Sequence, residues 1–263
     1  MDQRPDGPMS VVIIGGGFAG AALAVHLLDG AVAPLEITIV ETRPEPGRGV
    51  AYSTRERVHL VNGPASYFSL YPEAPEHFTD WLGAGQVDDL WSPPAGDLAS
   101  CFAPRWVYGS YVTAELARAV RDAAGRASFR HIRAEATDIR RASGLDVATT
   151  AGRVRADAVV LATGVFPVAD PVEQVVADHS RYVANPWDPA ALDRIADAGD
   201  VLLVGASLSM VDVVASLEAR GLRGRYRVIS RRGHLIEPHR SPEPAPDFLA
   251  GEALPTTARG LLP

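Results

Sequence analysis

Lysine does not occur in this chain: all 25 basic residues are arginine. That excludes a Schiff-base lysine and the lysine of a Walker A loop. Cysteine occurs once, as Cys101. An intramolecular disulfide, a Cys-x-x-Cys redox pair and a cysteine zinc site are therefore excluded, and no metal is expected. No apolar run approaches the length of a membrane span, and the first residues, MDQRPDGPMS, are polar with no apolar signal region. The expectation is a cytoplasmic protein with no membrane partner. An excess of positive charge is missing too. The net charge is −7, which gives nucleic-acid binding no electrostatic support. What is present is ordinary for a folded domain: 47% hydrophobic and 22% charged residues in a chain of 263. That length suits one large domain or two modest ones.

The order of patterns along the chain is that of an α/β protein. VVII (11–14) reads as a buried strand, GGGFAG (15–20) as a turn, AALAVHLLDG as a helix ending near Gly30, and EITIVE (36–41) as a second strand. This is a βαβ unit of about thirty residues, the size of a right-handed crossover. An irregular segment, 42–103, follows, rich in Pro, Gly, Tyr and Trp, with one short helix expected at 75–82 after Pro75. Loops of that length are usually functional. A long helix is expected after Pro104, ending near Gly125. Residues 127–160 alternate like strands and are expected to form a small antiparallel piece leading into the buried strand AVVLATG. DPAALDRIADAG reads as a helix. A second βαβ then appears: DVLLVG, a helix over 207–220, and RYRVIS at 225–230. Six prolines mark the last 26 residues, 238–263, as a linker or wrapping segment. The fold class expected is two Rossmann-like dinucleotide-binding βαβ units with an antiparallel β insertion. The expected domains are an FAD-binding one over 1–170, with 42–103 as its flavin-proximal insertion, and an incomplete NAD(P)H-binding one over 171–263.

The first glycine loop has the context that a dinucleotide fingerprint requires: it follows a strand and opens a helix. Gly15 permits the tight turn, Gly17 lets backbone approach a pyrophosphate, and Gly20 lets the helix pack against the strand. Phe18 and Ala19 lie within the loop, and the helix N-terminus offers free N–H groups to phosphate. Glu41 ends the next strand, placed to accept from ribose hydroxyls. The alternative is a glycine-rich turn without ligand. VVLATG (159–164), coming between the two glycine loops, points to FAD, because in two-dinucleotide flavoproteins a strand ending in Ala-Thr-Gly returns beneath the cofactor; the alternative is a buried strand with a turn at Gly164. Thr163 and Gly164 are therefore candidates, as is Ala136.

The second loop, VLLVGASLSM (201–210), keeps Gly205 but has Ser207 and Met210 where the other two glycines stand in the first. The dimensions are kept: Glu41 lies 26 positions after Gly15, and Arg231 lies 26 after Gly205. Where the first unit ends in an acid, the second ends in Arg231–Arg232. A carboxylate repels a 2′-phosphate, whereas a guanidinium can hold it bidentately. NADPH is the nucleotide this predicts; the alternative is a nucleotide-free half with an arginine-rich surface turn.

The run GRGVAYSTRERVHLVNGPASYFSLYPEAPEHFTDWL (47–82), with FAPRWVYGSYV (102–112), ANPWDPAAL (184–192) and SLSMVDVVASLEARGLRGRYRVISRRG (207–233), resembles the bacterial FAD-NAD(P)-binding proteins. These are similar to flavin-containing and N-hydroxylating monooxygenases, and some members resemble nitrosuccinate-forming aspartate N-monooxygenases. The resemblance implies an oxidoreductase using FAD, NADPH and dioxygen on a small substrate, an amine among the options. A flavin reductase or a non-catalytic nucleotide-binding module are the alternatives. It places Arg48 near the flavin phosphates or ring, Tyr52, His59 and Asn62 along the isoalloxazine side, and Arg105 and Tyr108 against cofactor or substrate. The residues also allow plainer roles: a turn for Asn62, core for Tyr108, a satisfied structural histidine for His59. No catalytic acid or base is implied, because the flavin carries the chemistry. Members of this family continue beyond the point where this chain stops, so weak flavin retention is expected of it.

Overall fold

The computed structural model describes residues 7–85, 91–141, 144–164 and 179–237. Strand β1 (Met9–Ile14), helix α1 (Phe18–Asp29) and strand β2 (Leu35–Val40) form the first βαβ unit. In the irregular stretch that follows lie a four-residue helix α2 (Gly49–Tyr52), a 3-10 turn (Ala65–Tyr67) and α3 (His77–Gly83). The long helix α4 spans Arg105–Asp122. Next come β3 (Ala127–Ile132), β4 (Ala136–Arg141), β5 (Leu145–Thr149), β6 (Gly152–Ala156) and β7 (Ala158–Leu161). The second unit contains α5 (Pro189–Asp193), β8 (Asp200–Val204), α6 (Leu208–Ala219) and β9 (Arg225–Ile229).

The main sheet has the order β3-β2-β1-β7, all parallel. One sequence expectation is corrected here. Residues 127–132 do not join the antiparallel piece; they pair in parallel with β2, in register from Leu35–Ala127 to Val40–Ile132. Alternation of apolar residues cannot by itself distinguish a parallel from an antiparallel partner. The antiparallel sheet is β4-β5-β6. The helix expected over DPAALDRIADAG is shorter, closing at Asp193, with Asp188 capping it by accepting from the Ala190 N–H.

The VVII run is apolar on every residue because β1 is covered on both faces. Val11 and Ile13 pack with Ile37 and Ile39 against α1 and α4, whose Ala21, Ala24, Val25, Val107, Tyr111 and Val112 are buried. Val12 and Ile14 face the other way, against Ala134, Val147 and Ala156 of the antiparallel layer. The small residues Ala21 and Ala24 let α1 lie close on the sheet. The second unit has a core of its own, built from Leu192, Ile195, Val201, Val213, Leu217 and Leu222. Among the described residues no helix is long and apolar enough to cross a membrane, and no cluster of metal-ligating side chains occurs.

Candidate dinucleotide sites

The first loop sits at the C-terminal ends of β1, β2 and β7, the edge at which open α/β sheets take their ligands. Gly15 has φ +103°, and a Cβ there would run into the carbonyl of Ala162, the residue just after β7. The Gly15 N–H donates to the Val40 carbonyl at 2.9 Å, tying the turn to β2. A Cβ on Gly20 would strike the Gly15 carbonyl, and one on Gly16 would lie 2.7 Å from the Glu41 Cβ. These three glycines are demanded by the chain's own packing.

Gly17 is not. Its backbone is extended (φ −70°, ψ −167°), and a Cβ would meet only the Gly49 Cα at an ordinary 3.5 Å. Gly49 (φ +56°) faces it, and a Cβ there would come within 2.9 Å of the Gly17 Cα. The two backbones touch there with no side chain between them. The first turn of α1 has no side-chain cap, so its N–H groups at Phe18, Ala19 and Gly20 remain available. A wall of backbone with free N–H donors is what a diphosphate requires, so the residues present fit the diphosphate of FAD.

Glu41 is buried and engaged from three sides. Its Oε2 accepts from the Gly16 N–H at 2.9 Å; its Oε1 accepts from the Arg43 N–H at 2.9 Å and the Thr42 hydroxyl at 3.1 Å. Burial pushes its pKa up, but those hydrogen bonds and the Arg43 charge outweigh it, and the carboxyl titrates below its ordinary value. The acid thus braces the loop. A carboxylate has room for about four hydrogen bonds, which leaves acceptor capacity beyond these three.

Arg48 opens α2 beside this contact. Its guanidinium donates to the Trp106 carbonyl and to the Ser110 hydroxyl, each at 3.0 Å. The turn can lie this close to α4 because Gly109 has no side chain: a Cβ there would sit 2.6 Å from the Tyr52 carbonyl oxygen and 3.1 Å from the Arg48 Cγ. Gly109 and Gly49 belong to the site, and sequence reading did not single them out; a glycine inside an otherwise regular helix was the available signal. Tyr52 packs edge-on to Tyr108 and Phe18, at 4.8 and 6.1 Å between ring centroids. Tyr108 lies in the core, where burial raises its hydroxyl pKa.

Other candidates fall elsewhere. The Thr163 N lies 3.2 Å from where a Gly15 Cβ would be, so the Ala-Thr-Gly turn does return against the first loop. Gly164 has φ +71°, and a Cβ there would meet nothing within 4 Å among the described residues. Ala136 starts β4 and packs on the antiparallel side of the sheet. Asn62 is exposed. His59 and Arg105 lie at the junction with the second unit. His59 is buried between the Thr54 hydroxyl at its Nδ1 (3.0 Å) and the Ser216 hydroxyl at its Nε2 (2.8 Å). Burial lowers its pKa; the Asp212 and Glu56 charges oppose this and the Arg105 charge adds to it. Arg105 makes a 2.8 Å ion pair with Asp212, donates to the Leu60 carbonyl at 2.9 Å, and lies over the Trp187 ring.

The second loop copies the first turn in backbone. Gly205 has φ +113°, and its N–H donates to the Ile229 carbonyl at 2.8 Å. Ser207 is extended like Gly17 (φ −102°, ψ −170°) and precedes α6. Just after β9, Arg231 and Arg232 occupy a turn closed by the Gly233 N–H donating to the Ser230 carbonyl. Both arginines are exposed, and neither makes an ion pair among the described residues.

Among solved structures, the chain is similar to Tmm from Pelagibacter sp. strain HTCC7211, at 17% identity over 83% of this chain and 51% of that one, with a TM-score of 0.50. It is also similar to a polycyclic ketone monooxygenase from Thermothelomyces thermophila (17%, 88% and 36%, TM-score 0.42). A cyclohexanone monooxygenase is a third (19%, 62% and 28%, TM-score 0.42). The chain spans about half or less of the length of each. No curated protein matches it. The family described as FAD-NAD(P)-binding matches over residues 12–166, which hold the first loop, Glu41, the α2 turn and the Ala-Thr-Gly return, and the chain belongs to that family, with FAD and NAD(P)H as its cofactors.

Proposed function

We propose that this chain is the FAD- and NADPH-binding part of a flavin-dependent monooxygenase acting on a small substrate, with an amine as the substrate class that the sequence resemblance favours. The free N–H groups at the α1 N-terminus, beside the bare backbone of Gly17, would hold the FAD diphosphate, and Glu41 would accept from its ribose. When bound, FAD would supply hydride acceptance and oxygen activation. The protein's own residues would bind and orient it: Arg48, held by the Trp106 carbonyl, the Ser110 hydroxyl and the Glu45 carboxylate, fixes the α2 turn beside the loop, and Phe18 and Tyr52 wall the side beyond it, backed by the buried Tyr108. The first domain is assigned to 1–170 and the second to 171–263.

The observation that carries the choice of NADPH is the exposed Arg231–Arg232 turn at the end of β9, beside the Gly205 turn. A charge-assisted bidentate contact contributes about 1.5–3 kcal/mol, roughly ten- to more than hundredfold in affinity. Flavin reduction at fixed ionic strength is therefore expected to favour NADPH over NADH by that factor. Replacing Arg231 and Arg232 together by alanine should bring the coenzymes to near parity by weakening NADPH alone. Equal rates in the unmodified protein would refute the assignment. Oxygen uptake that yields only hydrogen peroxide across a panel of amines would favour the reductase reading.

A further inference from the structure

Helix α6 is apolar for most of its length, yet Asp212, Ser216 and Arg220 stand four residues apart along it and at its end, which puts them in one line. All three meet partners from outside the second unit. Asp212 pairs with Arg105 at 2.8 Å, and Ser216 meets His59 Nε2 at 2.8 Å. Arg220 grips Glu56 bidentately at 2.6 and 3.1 Å. Asp212 and Ser216 are buried, and Arg105, Glu56 and Arg220 are largely so. The sequence of partners is acid to base, hydroxyl to imidazole, base to acid. A slip of one helical turn one way would leave Glu56 unpaired and the other way would leave Arg105 unpaired, so the observed register is the one that pairs every group.

The N-terminal end of this helix carries the Gly205–Ser207 loop. The far side of the contact is the flavin-proximal segment and the start of α4, tied together by the Arg105 N–H donating to the His59 carbonyl at 2.8 Å and the Val61 N–H to the Ala103 carbonyl at 2.9 Å. We propose that Asp212, Ser216 and Arg220 are positioning residues that hold the second nucleotide loop in register on the flavin-proximal segment, so that a nicotinamide bound at one site faces the flavin bound at the other. This rests on the proposed function and adds to it the contact that sets the distance between the two rings.

The chain contains its own reporter. Cys101 lies in the same ladder, its carbonyl accepting from the Ala65 N–H at 2.8 Å. Its thiol is buried, and burial together with the Asp97 charge raises its pKa above the ordinary 9.0. Labelling by Ellman's reagent therefore reads opening of this segment. In the FAD-loaded 263-residue chain, Asp212→Asn and Ser216→Ala are each expected to speed labelling, by about tenfold for the ion pair and roughly threefold for the hydroxyl. The same variants should slow the limiting rate of flavin reduction at saturating NADPH by similar factors, with flavin content and NADP⁺ affinity unchanged. Val211→Ala, on an exposed face of α6, should move none of these. Ser216→Ala removes one small group, so it reports even if Asp212→Asn does not fold. Labelling that stays at the unmodified rate in a folded variant overturns the proposal, as does faster labelling with an unchanged limiting rate. A bound flavin that NADPH never reduces overturns the function instead, and the labelling ratio alone then decides whether the register contact exists.

Discussion

The two βαβ units share a turn and differ in what surrounds it. Gly15 and Gly205 have similar φ values, +103° and +113°, and make the same hydrogen bond to the end of the next strand. Beyond that the neighbours diverge. A Cβ on Gly15 meets the Ala162 carbonyl, whereas one on Gly205 meets nothing within 4 Å among the described residues. Ile14, ending β1, is 9% exposed; Val204, ending β8, is 55% exposed. The first strand is sandwiched between two layers, and the second is covered on one face among the described residues. The glycine pattern follows these surroundings. The first glycine is set by backbone conformation and recurs in both units. Gly20 is set by the Gly15 carbonyl it packs against, whereas Gly17 is unforced, and Ser207 stands in its place in the second unit.

That comparison can be broken by substitution. Gly15→Ala adds strain and a collision with backbone, so it should cost about 3 kcal/mol or more and abolish flavin binding. Gly205→Ala adds strain alone and should cost about 1–2 kcal/mol with flavin retained. Urea unfolding of the two variants checks this, and equal losses would remove the distinction. Next in size is the unforced glycine. Gly17→Ala should leave the stability of the flavin-free protein within about 0.5 kcal/mol, yet weaken FAD binding at least tenfold, as read by titration of flavin fluorescence. Its counterpart Ser207→Gly should leave FAD binding as it is.

The smallest effect concerns the strand-end residues. Glu41 is held ionised below the ordinary carboxyl value of 4.5, so the folded state binds its proton less readily than the unfolded one. Its contribution is complete above that value and is lost as pH falls through the depressed folded pKa. Glu41→Gln turns one acceptor into a donor facing N–H groups, and should cost about 1–2 kcal/mol at neutral pH and less below pH 4. Arg231→Gln, at an exposed site, should stay within about 0.5 kcal/mol at either pH. Parallel pH–stability curves for the unmodified chain and Glu41→Gln would show that Glu41 does not brace the loop.

Local signals carried far in this chain. The strand, turn, helix, strand and acid of residues 11–41 are contiguous, and each obeys a short-range rule, so the first loop was legible down to Gly15, Gly17 and Gly20. The β3 pairing was not, because its partner β2 is separated from it by the long segment containing α4. The partners of Arg105 and His59 were hidden for the same reason: Asp212 and Ser216 lie more than a hundred residues further on. A four-residue polar spacing on α6 was visible, but it does not name what it faces. Gly109 looked like any helical glycine until Arg48 and the Tyr52 carbonyl were found against it.

The strand order has a consequence for how the chain is made. β1 is central, yet its second neighbour, β7, is encoded far downstream; the Ser10–Asp157 hydrogen bond that flanks their pairing spans 147 residues. At a synthesis rate of about 5–20 residues per second, on the order of ten seconds pass between the emergence of the two strands. Through that interval one side of Val11–Ile14 is an apolar ribbon with unpaired N–H and C=O groups, a template for any other strand that meets it. Yield from a ribosome should therefore depend on how fast residues 42–157 are translated and on what shields β1 meanwhile.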